Sequence, residues 1–428
     1  MTVYPTYKDS GIEWLGQIPT HWDLLRNKIF ITEHDNVVGQ DAYKYTLLSL
    51  TKQGVIQRDI ESGKGKFPKE FDNYKIVESG NIIFCLFDVD ETPRTVGLSS
   101  IDGMITGAYN VFSIKGINSQ FYYYYFLAVD EAKALRPLYS GLRKVVKTER
   151  FAGLRIPVPP QEEQRQIVAY LDYKSNKINE RICQRERELQ TLSKLKQAEI
   201  AAVVTRGLDP NVPMKESGIE WIGQIPAHWE IKYLSQIAEE HYISNKDVHH
   251  QNLLSLSYGR IVRKDINTTE GLLPASFDTY QVIEKGNIIL RLTDLQNDHK
   301  SLRIGLVTEE GIITSAYICI QSRRAVLPEY LYLLLHSYDI CKVFYGMGGG
   351  LRQSLSYADI KRIPIIIPAI SEQVEIIKHI NAKTKNIDIY MESLKKEIEL
   401  LQEYKQRLIS DVVTGKVDVR GVEIPNEE

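Results

Sequence analysis

The chain has 428 residues, 43% of them hydrophobic and 25% charged, and a formal net charge of −2. This composition is typical of a globular protein with room for two to four domains, and it excludes a uniformly basic nucleic-acid binder. The cysteines form no CxxC pair, which argues against a zinc site or a disulfide framework and predicts a reducing cytoplasmic location; they are Cys85, Cys183, Cys319 and Cys341.

The dominant feature of the sequence is an internal repeat. The segment GIEWLGQIPTHW (11–22) returns as GIEWIGQIPAHW (218–229), and later matches keep the same order at an offset of 206 to 209 residues. A period this long indicates a duplicated unit of about 200 residues rather than a solenoid. The other matching pairs are FDNYKIVESGNII (71–83) with FDTYQVIEKGNII (277–289), GLR (141–143) with GLR (350–352), EQ (163–164) with EQ (372–373), and VVTRGLD (203–209) with VVTGKVD (412–418).

Each repeat divides into a domain and a helix. After the repeated box come β-branched and aromatic runs such as NIIFCLFDV and NIILRLTDL, which read as strands, and QFYYYYFLAVDEAKAL, which reads as a helix. We therefore predict a mixed α/β (α+β) fold. The predicted segments are a box (1–23), a first domain (24–160), a first long helix (161–206), a linker with the second box (207–230), a second domain (231–370), a second long helix (371–415) and a tail (416–428).

The two helical segments lack Gly and Pro between 161 and 205 and between 371 and 414, and they are rich in Glu, Lys, Gln, Leu and Ile. Apolar residues step by three and four along both, with Lys196 and Lys405 either fixing the register of this seam or lying at its edge. Two stripes of this length can bury each other, which predicts an antiparallel, coiled-coil-like pair with pseudo-twofold symmetry. The residues expected to pair the helices are Ile178, Ile182, Leu189, Leu192, Ile387, Met391, Leu394, Ile398 and Leu401.

Two glycine-flanked turns, 139–155 and 345–362, hold the densest positive charge of the two domains. Arg and Lys bind phosphates, and Arg and Gln can also form bidentate hydrogen bonds with base edges. These turns are therefore candidates for DNA contact. The alternative is a solvated loop with salt bridges. The candidate residues are Arg143, Lys144, Lys147 and Arg155 in the first turn, and Arg352, Gln353, Lys361 and Arg362 in the second.

A second candidate surface follows each GNII strand. The segments FDVDETPRTVG and TDLQNDHKSLRIG differ in length and content between flanks that match. Divergence inside a common frame is expected of two domains that read different DNA sequences. We therefore predict DNA contacts from Arg94, Arg291 and Arg303.

Taken together, SGIEWLGQIPTHW, the GNII strand, the GLR turn before IPVPPQEEQRQI and the helix ending VVTRG resemble the specificity subunit of type I restriction-modification systems. The resemblance covers both halves. It implies two target-recognition domains that each read half of a bipartite DNA site, and helices that set the spacing and hold methyltransferase subunits. It also implies no catalysis and no cofactor on this chain. S-adenosylmethionine, ATP and Mg²⁺ belong to the methyltransferase and restriction subunits, its partners together with double-stranded DNA.

The residues agree with this implication, since we find neither an adenine-methyltransferase N-P-P-[FY] tetrapeptide nor a phosphate-binding G-x-x-x-x-G-K-[ST] loop. Two other functional classes stay open, a coiled-coil scaffold without catalysis and a stand-alone nuclease built on Glu131 and Lys133. The tryptophans of the box could stack on bases, but a segment repeated almost verbatim is better suited to anchoring each domain on the helices.

Overall fold

The computed structural model describes residues 2–58, 70–141, 144–246, 250–266, 276–298, 301–347 and 354–425. In the first repeat the strands are β1 (Tyr7–Asp9), β2 (Gln17–Pro19), β3 (Asp23–Arg26), β4 (Ile31–His34), β5 (Leu48–Thr51), β6 (Gly54–Gln57), β7 (Lys75–Val77), β8 (Ile82–Phe84), β9 (Val96–Leu98), β10 (Gly103–Ile105), β11 (Asn110–Ile114), β12 (Tyr139–Ser140), β13 (Val145–Val146) and β14 (Arg155–Val158). The helices are α1 (Ser119–Glu131), α2 (Thr148–Gly153) and α3 (Gln161–Arg206).

The second repeat follows a similar order of elements, but strands β12 and β13 have no counterpart among its described residues. Its strands are β15 (Met214–Glu216), β16 (Gln224–Pro226), β17 (Glu230–Tyr233), β18 (Ala238–Glu240), β19 (Leu254–Ser257), β20 (Arg260–Arg263), β21 (Gln281–Ile283), β22 (Ile288–Leu290), β23 (Ile304–Leu306), β24 (Gly311–Ile313), β25 (Ile318–Ser322) and β26 (Pro364–Ile367). Its helices are α4 (Leu234–Ile237), α5 (Pro328–Ile340), α6 (Tyr357–Ile360) and α7 (Ile370–Val413). Short 3₁₀ helices lie at Asn27–Ile29, Gly39–Lys44 and Arg136–Leu138 in the first repeat and at Val343–Gly346 in the second.

Each domain is built around a four-stranded antiparallel sheet. The strand order is β4-β11-β8-β9 in the first domain and β18-β25-β22-β23 in the second. The GNII strands, β8 and β22, are fully buried in these sheets, as their unbroken apolar runs predict. Helix α1 begins at the cap Asn118, whose side chain accepts hydrogen bonds from the backbone N–H groups of Gln120 and Phe121. The predicted mixed fold is confirmed in both repeats.

The long helices end where glycine stops them. Gly207 follows α3 with φ +75°, and Gly415 follows α7 with the same φ, a conformation that favours glycine at a helix C-terminus. Proline precedes each helix, at 159–160 and at 368. Among the described residues, no helix is both long and apolar enough to cross a membrane.

The chain divides into two compact units. Unit 1 comprises 1–186 and 396–428, and unit 2 comprises 187–395, so each unit holds one domain and parts of both long helices. In unit 1, Arg181 pairs with Glu397 at 3.1 Å and Asn179 with Lys405 at 2.8 Å. The partner's number on α7 rises as the number on α3 falls, so the two helices run antiparallel there.

Unit 2 shows the same antiparallel pairing. Lys196 donates to both carboxylate oxygens of Asp388 at 2.6 Å, and Glu199 pairs with Lys383 at 3.3 Å. None of the nine residues predicted to pair the helices is solvent-exposed, and Ile178 and Leu394 are buried. Their direct pairing stays a prediction.

Candidate nucleic-acid interface

The first repeated box is fixed to the start of α3 by one carboxylate. Trp22 is fully buried, and its indole Nε1–H donates to Oε1 of Glu163 at 2.9 Å. His21 Nε2 lies 2.8 Å from the other oxygen, and the Tyr4 hydroxyl donates to Oε1 at 2.5 Å. Glu163 is itself buried, so its side chain holds the box from inside the protein.

The second box is fixed in the same way within unit 2. Trp229 Nε1–H donates to Oε1 of Glu372 at 3.0 Å, and His228 Nε2 lies 2.9 Å from Oε2. Trp14 and Trp221, by contrast, are partly exposed and pack against Tyr125 and Tyr338. The prediction that the box anchors each domain on the helices is therefore confirmed for the His-Trp pair, which is identical in the two boxes.

Each box also contacts the end of the other long helix. In unit 1, Gly415 packs so closely that a Cβ atom there would lie 2.3 Å from Cδ of Pro19 and 3.3 Å from the ring of Trp22. In unit 2, Gly207 occupies the same place against Trp229 and Pro226. Each box therefore contacts the start of one long helix and the end of the other. We call this arrangement the clamp; it consists of Trp22, Glu163 and Gly415 in unit 1 and of Trp229, Glu372 and Gly207 in unit 2.

The glutamine of the EQ pair faces the domain instead. Gln164 Oε1 accepts from the backbone N–H of Asn118 at 2.8 Å, and its amide donates to the carbonyl of Pro159 at 2.8 Å. Gln373 repeats both contacts, with Leu327 and Pro368. Glutamate therefore holds the box and glutamine holds the domain, which explains why the two residues recur together.

We expect Gly415→Ala to destabilise unit 1 by at least about 1 kcal/mol, because alanine disfavours positive φ and its Cβ would collide with Pro19. Gly421→Ala is the matched control, since no atom lies within 4 Å of its Cβ position. Thermal unfolding followed by circular dichroism compares the two variants. Equal melting temperatures for both would contradict the close packing of the clamp.

The first and last strands of each domain pair with one another. Strand β3 lies antiparallel to β14, with Leu24 opposite Pro157, and β17 lies antiparallel to β26, with Ile231 opposite Ile366. The chain therefore enters and leaves each domain through two neighbouring strands, directly beside the clamp.

In unit 1 the structure brings the two predicted DNA-contacting segments together. Asp90, in the loop after β8, accepts from Arg136 at 2.7 Å and from the Tyr139 hydroxyl at 3.0 Å, and its other oxygen lies 3.6 Å from Lys144. The Arg136 guanidinium holds the pKa of Asp90 below its usual range. Lys144 thus takes part in the salt bridges that the alternative interpretation of this turn required.

The loop after β22 is built around Arg303, and the prediction that this residue contacts DNA is wrong. Its side chain is 0% exposed. The guanidinium donates to the carbonyls of Arg291 and Thr293 at 3.0 and 2.8 Å, to that of Asp298, and to the Tyr345 hydroxyl at 2.9 Å. With its donors used inside the protein, Arg303 shapes the loop and cannot reach a ligand.

Lys133 has the corresponding role in unit 1. Its ammonium donates to the carbonyls of Val89 and Thr92, both at 3.2 Å, and to Asp130 at 3.0 Å. Each divergent loop is therefore held by a cation, but from different sequence positions. These contacts also explain Lys133 without the nuclease role.

The remaining candidates have different exposures. Arg94 and Arg291 are half-buried, at 3.4 Å from the Tyr123 hydroxyl and 3.7 Å from Asp298 respectively. Exposed side chains are those of Lys147, Arg155, Lys361 and Arg362. The positions of Arg143, Arg352 and Gln353 lie outside the described residues.

An apolar cavity of about 570 Å³ lies in unit 1 between the box and α1. Its lining includes Trp14, Tyr125 and Val129, together with Arg150 and Arg155. Within the described ranges, no cluster of three His, Cys, Asp or Glu side chains could hold a metal ion.

Known proteins resemble the chain over 64% to 95% of its length. A putative type I restriction enzyme MjaX specificity subunit from Methanocaldococcus jannaschii is 21% identical over 432 residues, covering 95% of this chain and 96% of the relative. The type I restriction enzyme MjaVIII specificity subunit of the same organism is 24% identical over 287 residues, 64% of each chain. A chain solved in work on complex assembly and conformational transition of the type I R-M system shares the fold, with a TM-score of 0.62 at 13% identity over 94% of this chain and 99% of that one.

The family model described as "Type I restriction modification DNA specificity domain" matches residues 39–189 and 229–400. These two matches cover more than half of the chain and fall one in each repeat. The chain therefore belongs to the type I restriction modification DNA specificity family, whose members recognise DNA sequence and are not themselves catalysts.

Proposed function

We propose that each domain reads one half of a bipartite DNA site, that the paired helices set the distance between the halves, and that the chain works in the cytoplasm with methyltransferase and restriction subunits. The DNA-facing surface of each domain is the divergent loop after the GNII strand together with the neighbouring basic turn. The residues proposed to contact DNA are Arg94, Arg143, Lys144, Lys147 and Arg155 in unit 1, and Arg291, Arg352, Gln353, Lys361 and Arg362 in unit 2.

One observation carries this proposal. Two nearly identical clamps hold domains whose sequences diverge at 87–97 and 293–305, and each loop is held by a cation of the protein, Lys133 or Arg303. Two domains that are held by the same contacts but carry different loops are expected when the two domains must read different sequences. In a chain of net charge −2, binding to the phosphate backbone also requires local positive surfaces such as these turns.

Exchange of one domain tests the proposal. Residues 24–155 are replaced by the corresponding segment of another specificity chain, and adenine methylation is mapped in cells that supply the methyltransferase. We expect only one half of the methylated motif to change, because the exchanged segment begins and ends in the paired strands β3 and β14, outside the clamp. The matched exchange at 231–362 should change only the other half.

A chimera that still supports methylation but has changed in both halves of the motif would contradict independent reading. A scaffold without DNA recognition would leave the motif unchanged in both exchanges. These outcomes separate the proposed function from its main alternative.

A further inference from the structure

In each unit, a lysine of one long helix lies beside a polar residue of the other. The pairs are Lys405 with Asn179 in unit 1 and Lys196 with Asp388 in unit 2. Lys196 and Lys405 occupy equivalent positions in the two repeats, as do Asn179 and Asp388. In unit 2, Lys196 is neutralised by Asp388 at 2.6 Å, and Arg260 lies 3.9 Å from the same carboxylate. The Asp388 carboxylate therefore lies close to two cations, Lys196 and Arg260.

In unit 1 the equivalent position has an uncharged asparagine, Asn179, in place of the Asp388 carboxylate. Lys405 donates to the uncharged amide oxygen of Asn179 at 2.8 Å. Arg94, from the divergent loop, lies 3.4 Å from the hydroxyl of Tyr123, the residue equivalent to Tyr332, and its charge acts on Lys405. Among the described side chains, no carboxylate forms an ion pair with Arg94 or Lys405, whereas Asp388 lies 2.6 Å from Lys196, the counterpart of Lys405, and 3.9 Å from Arg260.

The charges in unit 1 oppose one another. Burial lowers the pKa of Lys405 below its usual value, and the positive charge of Arg94 lowers it further. Two interacting cations, both half-buried, are destabilising unless an anion joins them, because unpaired buried charge is costly. The site also offers hydrogen-bond donors in the Asn179 amide and the Tyr123 hydroxyl.

We propose that Arg94, Lys405, Asn179 and Tyr123 form a binding site for a phosphate group, and that the ligand is a backbone phosphate of the DNA bound by the first domain. This inference rests on the proposed function. The Asp388 carboxylate occupies the equivalent place in unit 2, so the two domains differ in how they hold DNA. The first makes a phosphate contact through the helices, and the second closes that position internally.

The test exchanges the internal anion between the two units. Asn179→Asp places in unit 1 the carboxylate that unit 2 already has, at nearly constant shape, and Asn179→Ser removes the amide without adding charge. Binding of duplex DNA is measured by fluorescence anisotropy against KCl concentration, using the full chain in complex with its methyltransferase subunits. We expect Asn179→Asp to flatten the salt slope by about 1 and to weaken binding about 5-fold near 0.15 M salt, on specific and unrelated duplexes alike.

Asn179→Ser should keep the wild-type salt slope, and Asp388→Asn should steepen it by about 1, because Lys196 and Arg260 become available. The melting temperature of Asn179→Asp should not fall, which separates a lost contact from a lost fold. An unchanged slope in Asn179→Asp would overturn the proposal.

Inorganic phosphate distinguishes the two sources of the ligand. At constant ionic strength, it should raise the melting temperature of the wild-type chain and not that of Asn179→Asp. If phosphate stabilises the protein but the DNA salt slope does not respond to Asn179→Asp, the site takes a free anion and the assignment to DNA is wrong. If the wild-type complex binds no duplex at all, the proposed function fails, and the phosphate measurement alone decides whether the anion site exists.

Discussion

Replacing Trp22 by alanine should lower the free energy of unfolding of unit 1 by about 3–5 kcal/mol, the usual cost of removing a buried tryptophan. The indole fills the centre of the clamp, between Pro19, Gly415 and the buried carboxylate of Glu163. Its loss leaves a cavity and removes the N–H donor of a buried carboxylate, and both effects destabilise.

Because unfolding of a chain with two units is not expected to be two-state, the measurement is hydrogen exchange followed by mass spectrometry. Peptides from 161–186 and 396–413 should lose protection, whereas those from the second domain keep it. Trp14→Ala is the control, since that ring is partly exposed, and it should have a much smaller effect. Similar losses in both variants would show that the indole of Trp22 is not the centre of the clamp.

Arg303→Met should abolish sequence preference in the second half of the DNA site and destabilise the loop at 291–298 by about 3 kcal/mol or more. The methionine has a similar length but leaves the carbonyls of Arg291, Thr293 and Asp298 without their buried donor. Preference in the first half should persist, because the first domain uses Lys133 for its own loop.

Arg291→Met is the contrasting variant, because the half-buried Arg291 side chain lies at the edge of the same loop and is proposed to contact DNA, so this change should leave the protection of the loop in place. Methylation mapping of both variants, with hydrogen exchange at 291–298, gives the comparison. If Arg303→Met changed only overall DNA affinity while the loop kept its protection, Arg303 would act as a direct contact after all.

The fold was largely predictable because it follows from an internal repeat, from regularly spaced apolar residues, and from Gly and Pro at the ends of elements. The duplication is visible by comparison of the chain with itself, and the helices follow from long segments without Gly or Pro, with apolar residues stepping by three and four. Gly207 marked the end of α3 in the sequence for the reason that the structure shows, a left-handed backbone that fits tightly against the second box.

The details of the site were less predictable, because its partners are distant and often carry no side-chain signature. Trp22 and Glu163 are 141 residues apart, and nothing local links them. An arginine in a variable loop looks the same in sequence whether it faces DNA or, as Arg303 does, donates to backbone carbonyls. The difference between Asn179 and Asp388 was readable from the aligned repeats, but its meaning depends on Arg94 and Arg260, which come from different strands and loops.

The clamp has a topological consequence. In unit 2, the segment 207–213 connects the end of α3 to the box that grips it, whereas in unit 1 the end of α7 and the first box meet without a covalent link, through the Thr2 and Asp418 backbones and Tyr7 with Gly415. Within each unit, the end of a long helix therefore meets a box through the same kind of contact, with a covalent link in unit 2 and by packing in unit 1. A circularly permuted chain opened at 207–213 would keep every clamp contact. A polypeptide of one repeat would carry a box with no helix end to hold, and it would complete itself by pairing with a second copy.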